Sequence, residues 1–473
     1  MLEIPVLRAG RPYTSLSTHT LAHVATGEPV AEVSRANAGL IRRDLGRAAE
    51  NRRALERLSA EELVGISGEA GRLFGEADLP VGEETQSPED FVRQISATTG
   101  LPESLARGNM AKARFVMEEM ATVLGGLTRG LDLEALDRGW VEQDGRTISY
   151  RRETDVLGAV LPSNSPGVHS LWLPSIPLKV PLALKPGRAE PWTPYRIAQA
   201  YIAAGCPPEA FGFYPADYSG AGELLLRCGR SLLYGDKATV RAWESDERVQ
   251  IHGPGWSKVV LGADRATRWA DHLDLMVASV ADNGGRSCIN ASGVWTPAAG
   301  RELAEGLARR LAAIEALPLD HPDARLACFP SRQAAQRLSD YIDARLARPG
   351  AEDLTARLRP GGRVAEAGGC AFVLPTVIYC DDPGHELAHA EFLFPYVSVV
   401  ECPQEELIRR MGSSLVVTAL TDDEELSWEL MTAVNVERLN LGEIPTSRVS
   451  WDQPHEGNLF EHLYRQRALQ GVA

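Results

Sequence analysis

The middle of the chain alternates between two patterns of apolar residues. Short apolar runs, typical of buried strands, occur at 156–161, 183–184, 211–214 and 231–234. Apolar residues at helical spacing occupy 193–204 and 219–228, between these runs. Strands that alternate with helices of this length predict a parallel, doubly wound sheet. Ligands bind such a sheet beyond the carboxyl ends of its strands, where Lys185 and Gly235 lie.

The second half of the chain repeats this alternation. Helical spacing occurs at 271–281, 301–316, 332–347 and 422–436, and strand-like runs occur at 371–379, 397–400 and 415–419. Asn283, Gly284 and Gly285 end the first of these helices, and a new strand-like run begins at Gly293. The segment between them, which contains Cys288, is therefore predicted to be a short irregular loop.

The first part of the chain is more helical. Residues 1–24 are predicted to be an irregular lead-in, followed by a turn and a short strand at 25–33. Helices are predicted within 35–74 and 87–127. The pair Asp144-Gly145, between strand-like flanks, predicts a hairpin within 139–158. Such a hairpin either stays local or pairs with another subunit, and the sequence leaves both open.

Composition and charge narrow the class of protein. The length of 473 residues predicts about three domains, and the composition is globular. A net charge of -15 argues against a nucleic-acid or anionic-membrane surface. No apolar run reaches membrane-spanning length, and the first residues, MLEIPVLRAG, lack the apolar core of a signal peptide. Seven cysteines without a Cys-x-x-Cys pair indicate a reduced, cytoplasmic protein with no metal site.

Cys288 is the main candidate for chemistry. Gly284 and Gly285 let the backbone approach a ligand closely. Arg286 is near Cys288 in sequence and could favour a thiolate, although sequence position alone does not show that it points at the sulfur. The alternative is that Cys288 is a small buried apolar residue, as free cysteines usually are. A catalytic cysteine needs partners elsewhere in the chain, so the choice depends on other motifs.

Six separated segments carry motifs of one family. They are ATGEPVAEV at 25–33, PSNSPG around Asn164, LKPGRAEP around Lys185, GGRSCI around Cys288, the long stretch that begins LPTVIYC and includes Glu391, and SLVVTALTDD with VERLNLGEIPTSR. Together, and in this order, they resemble the aldehyde dehydrogenase superfamily over nearly the whole chain. The resemblance implies an α/β fold with a doubly wound cofactor domain at 1–138 and 157–254 and a catalytic domain at 255–436. It also implies a bridging, oligomerising region at 139–156 with 437–473, and a homodimer or homotetramer.

The resemblance also implies roles for individual residues. Cys288 would be the nucleophile, and the side chain of Asn164 with the amide of Cys288 would stabilise the oxyanion. Lys185 would bind the adenosine ribose, Gly235 would lie beside the pyrophosphate, and Glu391 would hold the nicotinamide ribose. Taken one at a time, these residues are equally well explained as turn residues or exposed charges.

Two departures from the family pattern refine the expected activity. Arg188 stands where the family usually has the glutamate that binds the ribose 2′-hydroxyl, and a cation there suits the 2′-phosphate of NADP better than NAD. His252 stands where hydrolytic members carry the glutamate that activates water. The sequence around it looks more like the fatty acyl-CoA reductase branch, whose members pass the acyl group to a thiol.

The resulting hypothesis is an acylating aldehyde dehydrogenase, or acyl-CoA reductase. It would interconvert an acyl-CoA and an aldehyde, with NADP or NAD as cofactor and coenzyme A as co-substrate. The first alternative is a hydrolytic aldehyde dehydrogenase in which His252, or a displaced glutamate, serves as the base. The second is a non-catalytic assembly or binding protein that keeps the fold.

Overall fold

The computed structural model describes residues 1–454 and 456–470 and contains two seven-stranded sheets. The first, called the cofactor sheet here, contains in spatial order Val249–His252, Arg230–Tyr234, Leu157–Val160, Leu182–Lys185, Phe211–Phe213, Val6–Arg8 and Arg11–Tyr13. The first five strands are parallel to one another, and each of the last two is antiparallel to the strand before it. The strand runs predicted at 156–161, 183–184, 211–214 and 231–234 are thereby confirmed.

Both faces of the cofactor sheet are buried. Leu157 and Ala159 pack on one face, in a large apolar cluster that includes Phe74. Val160 packs on the opposite face with Ile41. Because side chains alternate between the two faces of a strand, this division is what a strand covered by helices on both sides requires.

The helices of the cofactor half lie close to where they are predicted. They are Ala38–Leu45, Ala48–Leu55, Ala60–Glu76, Pro88–Thr99, Glu103–Glu118, Met120–Thr128, Glu134–Arg138, Trp192–Ala203, Tyr218–Arg227 and Lys237–Val240. Ser59 and Ser87 form capping boxes at two of their N-termini, with Glu62 and Asp90 as the reciprocal partners. A capping box satisfies two backbone N–H groups that a helix start leaves unpaired.

The prediction that residues 1–24 are irregular is wrong. They contain the strands Leu2–Ile4, Val6–Arg8, Arg11–Tyr13 and Thr18–Ala22. Leu2–Ile4 pairs in parallel with Pro29–Ser34, and Leu7 lies opposite Phe213 at the edge of the cofactor sheet. Three-residue strands carry too little periodicity to be recognised, and distant partners in the chain stabilise them.

The second sheet, called the catalytic sheet here, is also largely parallel. Its spatial order is Ala351–Asp353, Thr376–Cys380, Tyr396–Glu401, Ala291–Thr296, Ser257–Leu261, Ser414–Leu420 and Val436–Leu441. Only the first strand is antiparallel to its neighbour. Its helices are Ala263–Ala266, Leu273–Ala281, Gly300–Leu311, Arg332–Leu346, Gln404–Met411 and Glu424–Thr432.

Three predictions in this half need shortening or division. The helices predicted at 301–316 and 422–436 end earlier, at Leu311 and Thr432. The extended stretch predicted at 371–379 is two strands, Cys370–Val373 and Thr376–Cys380, in different sheets. Pro375 lies between these two strands, and because proline has no N–H to donate, it favours the break.

The predicted hairpin exists and gains a third strand. Trp140–Gln143 and Arg146–Arg152 are antiparallel, and Asp144 and Gly145 both have positive φ, at 51° and 71°, as a tight two-residue turn requires. The strand Tyr464–Gln466 follows the helix Leu459–Leu463. It pairs with the second strand of the hairpin, Arg146–Arg152, which is therefore the central strand of three. Pairing with another subunit and the three domain boundaries remain predictions, and residues 455 and 471–473 of the predicted bridging region lie outside the described part.

Two smaller pairs complete the strands, and the helices are short. Leu79–Val81 pairs with Glu84–Gln86, and Val364–Ala367 pairs with Cys370–Val373. Over residues 1–454 and 456–470, no helix has the length and apolar character needed to cross a membrane.

A buried arginine ties the N-terminal helices to the cofactor sheet. Arg196, in the helix Trp192–Ala203, is 1% exposed and donates to the carbonyl oxygens of Phe74 at 3.1 Å, Gln86 at 2.7 Å and Ala77 at 2.6 Å. Two of these carbonyls belong to the end of the helix Ala60–Glu76 and would otherwise lack partners.

Replacing Arg196 with Met should destabilise the fold strongly, because three buried carbonyls would lose their donor. We expect a loss of about 3 kcal/mol in the free energy of unfolding, measured by chemical denaturation. Arg72→Met is the control, since Arg72 is half-exposed and pairs only with Glu69 and Glu76 on the surface. Its cost should stay below about 1 kcal/mol. Equal stability of the two variants would contradict the structural role of Arg196.

Candidate active site

Cys288 lies on a tightly constrained loop between the helix Leu273–Ala281 and the strand Ala291–Thr296. At Gly285, φ is 67°, and a side-chain carbon would lie 2.5 Å from the backbone of Phe394. The side chain of Asn290 closes the loop, because it accepts from the amide of Ser287 at 2.9 Å and donates to the carbonyl of Asp282 at 3.0 Å. The loop is therefore held by its own backbone geometry and by contacts on both sides.

The Cys288 sulfur faces a carboxylate that the sequence did not suggest. Cys288 is partly exposed, and its Sγ lies 3.8 Å from Oε2 of Glu456. Burial raises the pKa of the Cys288 thiol well above its usual range, and the charges of Glu456 and Glu391 raise it further, while Lys112 opposes them. At rest the sulfur is therefore a thiol, and it needs a proton acceptor before it can attack a carbonyl.

Arg286 contacts another part of the chain. Its guanidinium donates from Nη1 to the carbonyl oxygen of Thr99 at 3.2 Å. Burial lowers the pKa of Arg286. Within the described part of the chain Arg286 makes no hydrogen bond to the sulfur, so its expected help in forming the thiolate stays a prediction.

His252 lies at the end of a parallel strand, beside the same carboxylate. It closes Val249–His252, is 4% exposed, and stacks on the ring of Tyr234 with centroids 4.4 Å apart and planes 12° apart. Its Nδ1 lies 3.2 Å from Oε1 of Glu456. Glu456 thus lies between Cys288 and His252 with one oxygen near each, although neither ring nitrogen of His252 makes a hydrogen bond within the described part of the chain.

Asn164 adjoins the nucleophile loop from the cofactor side. Its Nδ2 donates to the carbonyl oxygen of Arg286 at 2.8 Å. A side-chain amide carries two N–H groups, so this contact leaves the second for an oxyanion. Ser257 holds a second carbonyl of the loop, because its Oγ donates to the carbonyl oxygen of Cys288 at 2.8 Å.

Glu391 has a structural task in addition to the predicted one. Its two carboxylate oxygens accept from the amides of Gly255, at 3.1 Å, and of Trp256. Burial raises the pKa of Glu391 to about 7, and these backbone hydrogen bonds lower it in part. Glu391 therefore holds the loop that follows His252, and its predicted contact with the nicotinamide ribose must use its remaining lone pairs.

The predicted residues line two adjacent spaces. Cys288, Asn164, His252, Gly235 and Glu391 all border a cavity of about 640 Å³ between the two sheets. Lys185 and Arg188 border a crevice of about 570 Å³ at the carboxyl ends of the cofactor strands. Tyr234 borders both spaces, so a ligand in the crevice can extend toward the sulfur.

The crevice suits the adenosine end of a dinucleotide. Burial lowers the pKa of Lys185, and the charge of Asp217 opposes this shift. Arg35, which the sequence did not single out, lines the same crevice and lies 3.5 Å from Asp217. Together with the exposed Arg188, it gives the crevice two guanidinium groups for a 2′-phosphate.

The turn after Gly235 differs from an ordinary phosphate site. Asp236 caps the helix Lys237–Val240 by accepting from the amide of Thr239 at 2.8 Å. A carboxylate at that place repels a phosphate and occupies an amide that could bind one. Phosphate binding here must therefore depend on nearby cations more than on the helix start.

Two residues of the site were missed from sequence. Glu456 lies 168 residues from Cys288 along the chain, and no motif marks it. Lys112 lies in the helix Glu103–Glu118, where burial lowers its pKa and the charges of Cys288 and Glu456 oppose that shift. Lys112 borders the same cavity as Cys288, and its positive charge favours the thiolate once it forms.

A doubly wound cofactor sheet that faces a second α/β sheet across a cysteine-lined cavity defines a nicotinamide-dependent oxidoreductase fold. A model described as the aldehyde dehydrogenase family matches residues 14–457, and the chain belongs to that family. No curated protein sequence matches the chain at a significant level.

Solved structures share the fold at low identity. A putative aldehyde dehydrogenase from Burkholderia cenocepacia has a TM-score of 0.79 at 16% identity, covering 99% of this chain and 97% of that one. The P. syringae indole-3-acetaldehyde dehydrogenase AldA, a mutant in complex with NAD+ and IAA, has a TM-score of 0.78 at 17% identity, covering 99% and 96%. A 3,6-anhydro-L-galactose dehydrogenase in complex with NAP has a TM-score of 0.77 at 14% identity, covering 98% and 99%.

Replacing Cys288 with Ala should abolish turnover and leave cofactor binding intact, because only the sulfur is removed from a loop that other contacts hold. Steady-state assays and a cofactor titration measure the two effects. Cys402→Ala is the matched control, since that buried thiol lies outside the cavity. Residual activity above a few per cent would show that Cys288 is not an obligatory nucleophile.

Replacing Arg188 with Glu should weaken NADP binding by about tenfold or more and improve NAD binding, since a guanidinium–phosphate contact becomes a repulsion. Binding titrations with both cofactors measure the ratio. Arg337→Glu makes the same charge change at an exposed site on the helix Arg332–Leu346 and should leave the ratio of the two affinities unaltered. Equal affinity of the unsubstituted protein for both cofactors counts against the assignment.

Proposed function

We propose that this member of the aldehyde dehydrogenase family is an acyl-CoA reductase that prefers NADP. It interconverts an acyl-CoA and an aldehyde through an acyl-enzyme on Cys288. The observation that carries the proposal is the position of His252. This residue ends its strand at the place where, by the resemblance, hydrolytic members carry a glutamate. Its ring is buried, stacked on Tyr234 and directed with Nδ1 toward Glu456.

The fate of the acyl-enzyme depends on which nucleophile receives help. Water is a poor nucleophile, and a placed base accelerates its attack by roughly 100- to 10,000-fold. A thiol needs less help, because an appreciable part of it is ionised near neutral pH. With an imidazole in place of the expected carboxylate, transfer to the thiol of coenzyme A is the favoured outcome.

The chain's own groups support the other parts of this chemistry. The free N–H of Asn164 and the amide of Cys288 would stabilise the oxyanion formed when the sulfur attacks. Lys185 and the guanidinium groups of Arg35 and Arg188 would hold the adenosine end of the cofactor, which supplies the hydride when it is bound. The cavity also carries apolar side chains, namely Val24, Val168, Leu171, Ile289, Phe392 and Leu393. They suit an apolar acyl group.

One observation favours the hydrolytic alternative. The carboxylate of Glu456 lies within 3.8 Å of the nucleophile, so the cavity does contain a displaced glutamate. At that distance no water fits between the carboxylate and the sulfur. Hydrolysis would therefore require the carboxylate to move back after acylation, or a water to approach from another side.

Supplying an aldehyde and NADP, with and without coenzyme A, should distinguish the two functions. We expect acyl-CoA as the product and slow NADPH formation when coenzyme A is left out. NADPH is followed by absorbance, and acid and acyl-CoA by chromatography, with Cys288→Ala as the blank. Rapid acid formation without coenzyme A would falsify the proposal. If that acid formation were lost in His252→Ala, His252 would be the hydrolytic base.

A further inference from the structure

The C-terminal segment places Glu456 in the cavity and is anchored at Glu456 itself and at Asn458. Gln250, in the strand that ends at His252, donates from Nε2 to the carbonyl oxygen of Glu456 at 2.8 Å. Two residues later, Asn458 donates to the carbonyl of Leu127 at 2.9 Å and caps the helix Leu459–Leu463. Leu459, Phe460 and Leu463 of that helix are buried. The backbone at 456 is therefore fixed relative to the cofactor sheet.

The backbone conformation of Glu456 is unusual for a residue with a side chain. Its φ is 54°, in the left-handed region, and φ of the following Gly457 is 86°. A side chain in that region costs about 1 kcal/mol or more, whereas glycine adopts it freely. Strain of this kind is concentrated at functional sites, where the surrounding structure maintains it.

The side chain of Glu456 is buried between two reactive groups. It is 8% exposed, with Oε2 at 3.8 Å from Sγ of Cys288 and Oε1 at 3.2 Å from Nδ1 of His252. Burying a carboxylate costs several kcal/mol unless it is paired or hydrogen-bonded. A carboxylate within hydrogen-bonding reach of a thiol can accept its proton.

We propose that Glu456 is the proton acceptor for the Cys288 thiol during acylation. This inference rests on the proposed function only for the identity of the substrate. As the sulfur attacks the thioester carbonyl, its proton passes to Oε2, and the new bond between sulfur and the acyl carbon forms. The bond to the sulfur of coenzyme A then breaks, and the leaving thiolate takes the proton back from the carboxyl group.

The charges around the sulfur predict that removing the carboxylate of Glu456 has opposite effects on thiolate formation and on the reaction. The ionisable groups that face Cys288 are Glu456, Glu391, Lys112, His252 and Tyr234, with Arg286 two residues away in the same loop. Burial is the largest cause of the raised pKa of the Cys288 thiol, and the negative charge of Glu456 raises that pKa further. Removing that charge should therefore make the thiolate easier to form while it removes the proton acceptor that the reaction uses.

Glu456→Gln tests both consequences in the full-length protein. The rate at which iodoacetamide alkylates Cys288 is measured by mass spectrometry over a range of pH. In the variant, the pH at which this rate is half its maximum should be lower. Acylation by an acyl-CoA, followed as a pre-steady-state burst of released thiol, should slow by about 100-fold or more. Glu461→Gln is the matched control, since this exposed glutamate of the same segment pairs with Arg129 at 2.8 Å and should change neither value.

The proposal is overturned if acylation by Glu456→Gln proceeds at the unsubstituted rate, or if the alkylation midpoint stays in place or rises. A merely structural role would lower reactivity in both assays. If the unsubstituted protein reduces no acyl-CoA but oxidises an aldehyde, the proposed function fails. In that case the burst of reduced cofactor formed from the aldehyde is measured for Glu456→Gln and for the unsubstituted protein. A slower burst in the variant supports the role of Glu456 whichever function the protein has.

Glu456→Gly gives a second test that avoids backbone strain. Glycine accepts the φ of 54° at no steric cost and leaves a space next to the sulfur. Added formate should restore part of the acylation rate, while chloride at the same ionic strength should not. Absence of rescue, with folding confirmed by a denaturation midpoint no lower than that of the unsubstituted protein, would overturn the role of the carboxylate.

Discussion

The close approach of two backbone segments, from residues 252–257 and from the loop of Cys288, is the constraint on which the site depends. A side-chain carbon at Gly255 would lie 2.0 Å from the carbonyl oxygen of Cys288, so only glycine fits there. Glu391 holds the amide of Gly255, and Ser257 holds the carbonyl of Cys288. Because residues 252–257 connect the last strand of the cofactor sheet along the chain with a central strand of the catalytic sheet, this contact fixes the position of the nucleophile loop relative to the cofactor sheet.

Desolvation controls the charges around this contact. Burial raises the pKa of Glu391 to about 7 and lowers the pKa of Lys258 to about 7, although each group has hydrogen-bond partners. The thiol of Cys288 follows the same rule, since burial is the largest cause of its raised pKa.

The residues on which the proposed function depends lie on opposite sides of that contact. On the cofactor side, Arg188 and Arg35 provide cations, and Asp236 occupies the helix start. On the catalytic side, His252 replaces the expected carboxylate, and the C-terminal segment brings Glu456 to the same space. The fold is shared with the family, and in the proposed function a few side chains decide the choice of cofactor and of acyl acceptor.

The sequence by itself determined the parts that depend on local periodicity and local turns. The parallel strands and their helices, the Asp144-Gly145 hairpin and the irregular loop of Cys288 follow from patterns within about ten residues. Only the tertiary structure decided the strands of residues 1–24, the amide contacts of Glu391 and the place of Glu456. Each of these depends on a partner that is distant in the chain, as Glu456 is from Cys288 by 168 residues. No local pattern encodes such a contact, because it forms only when the packing of both sheets brings the two segments together.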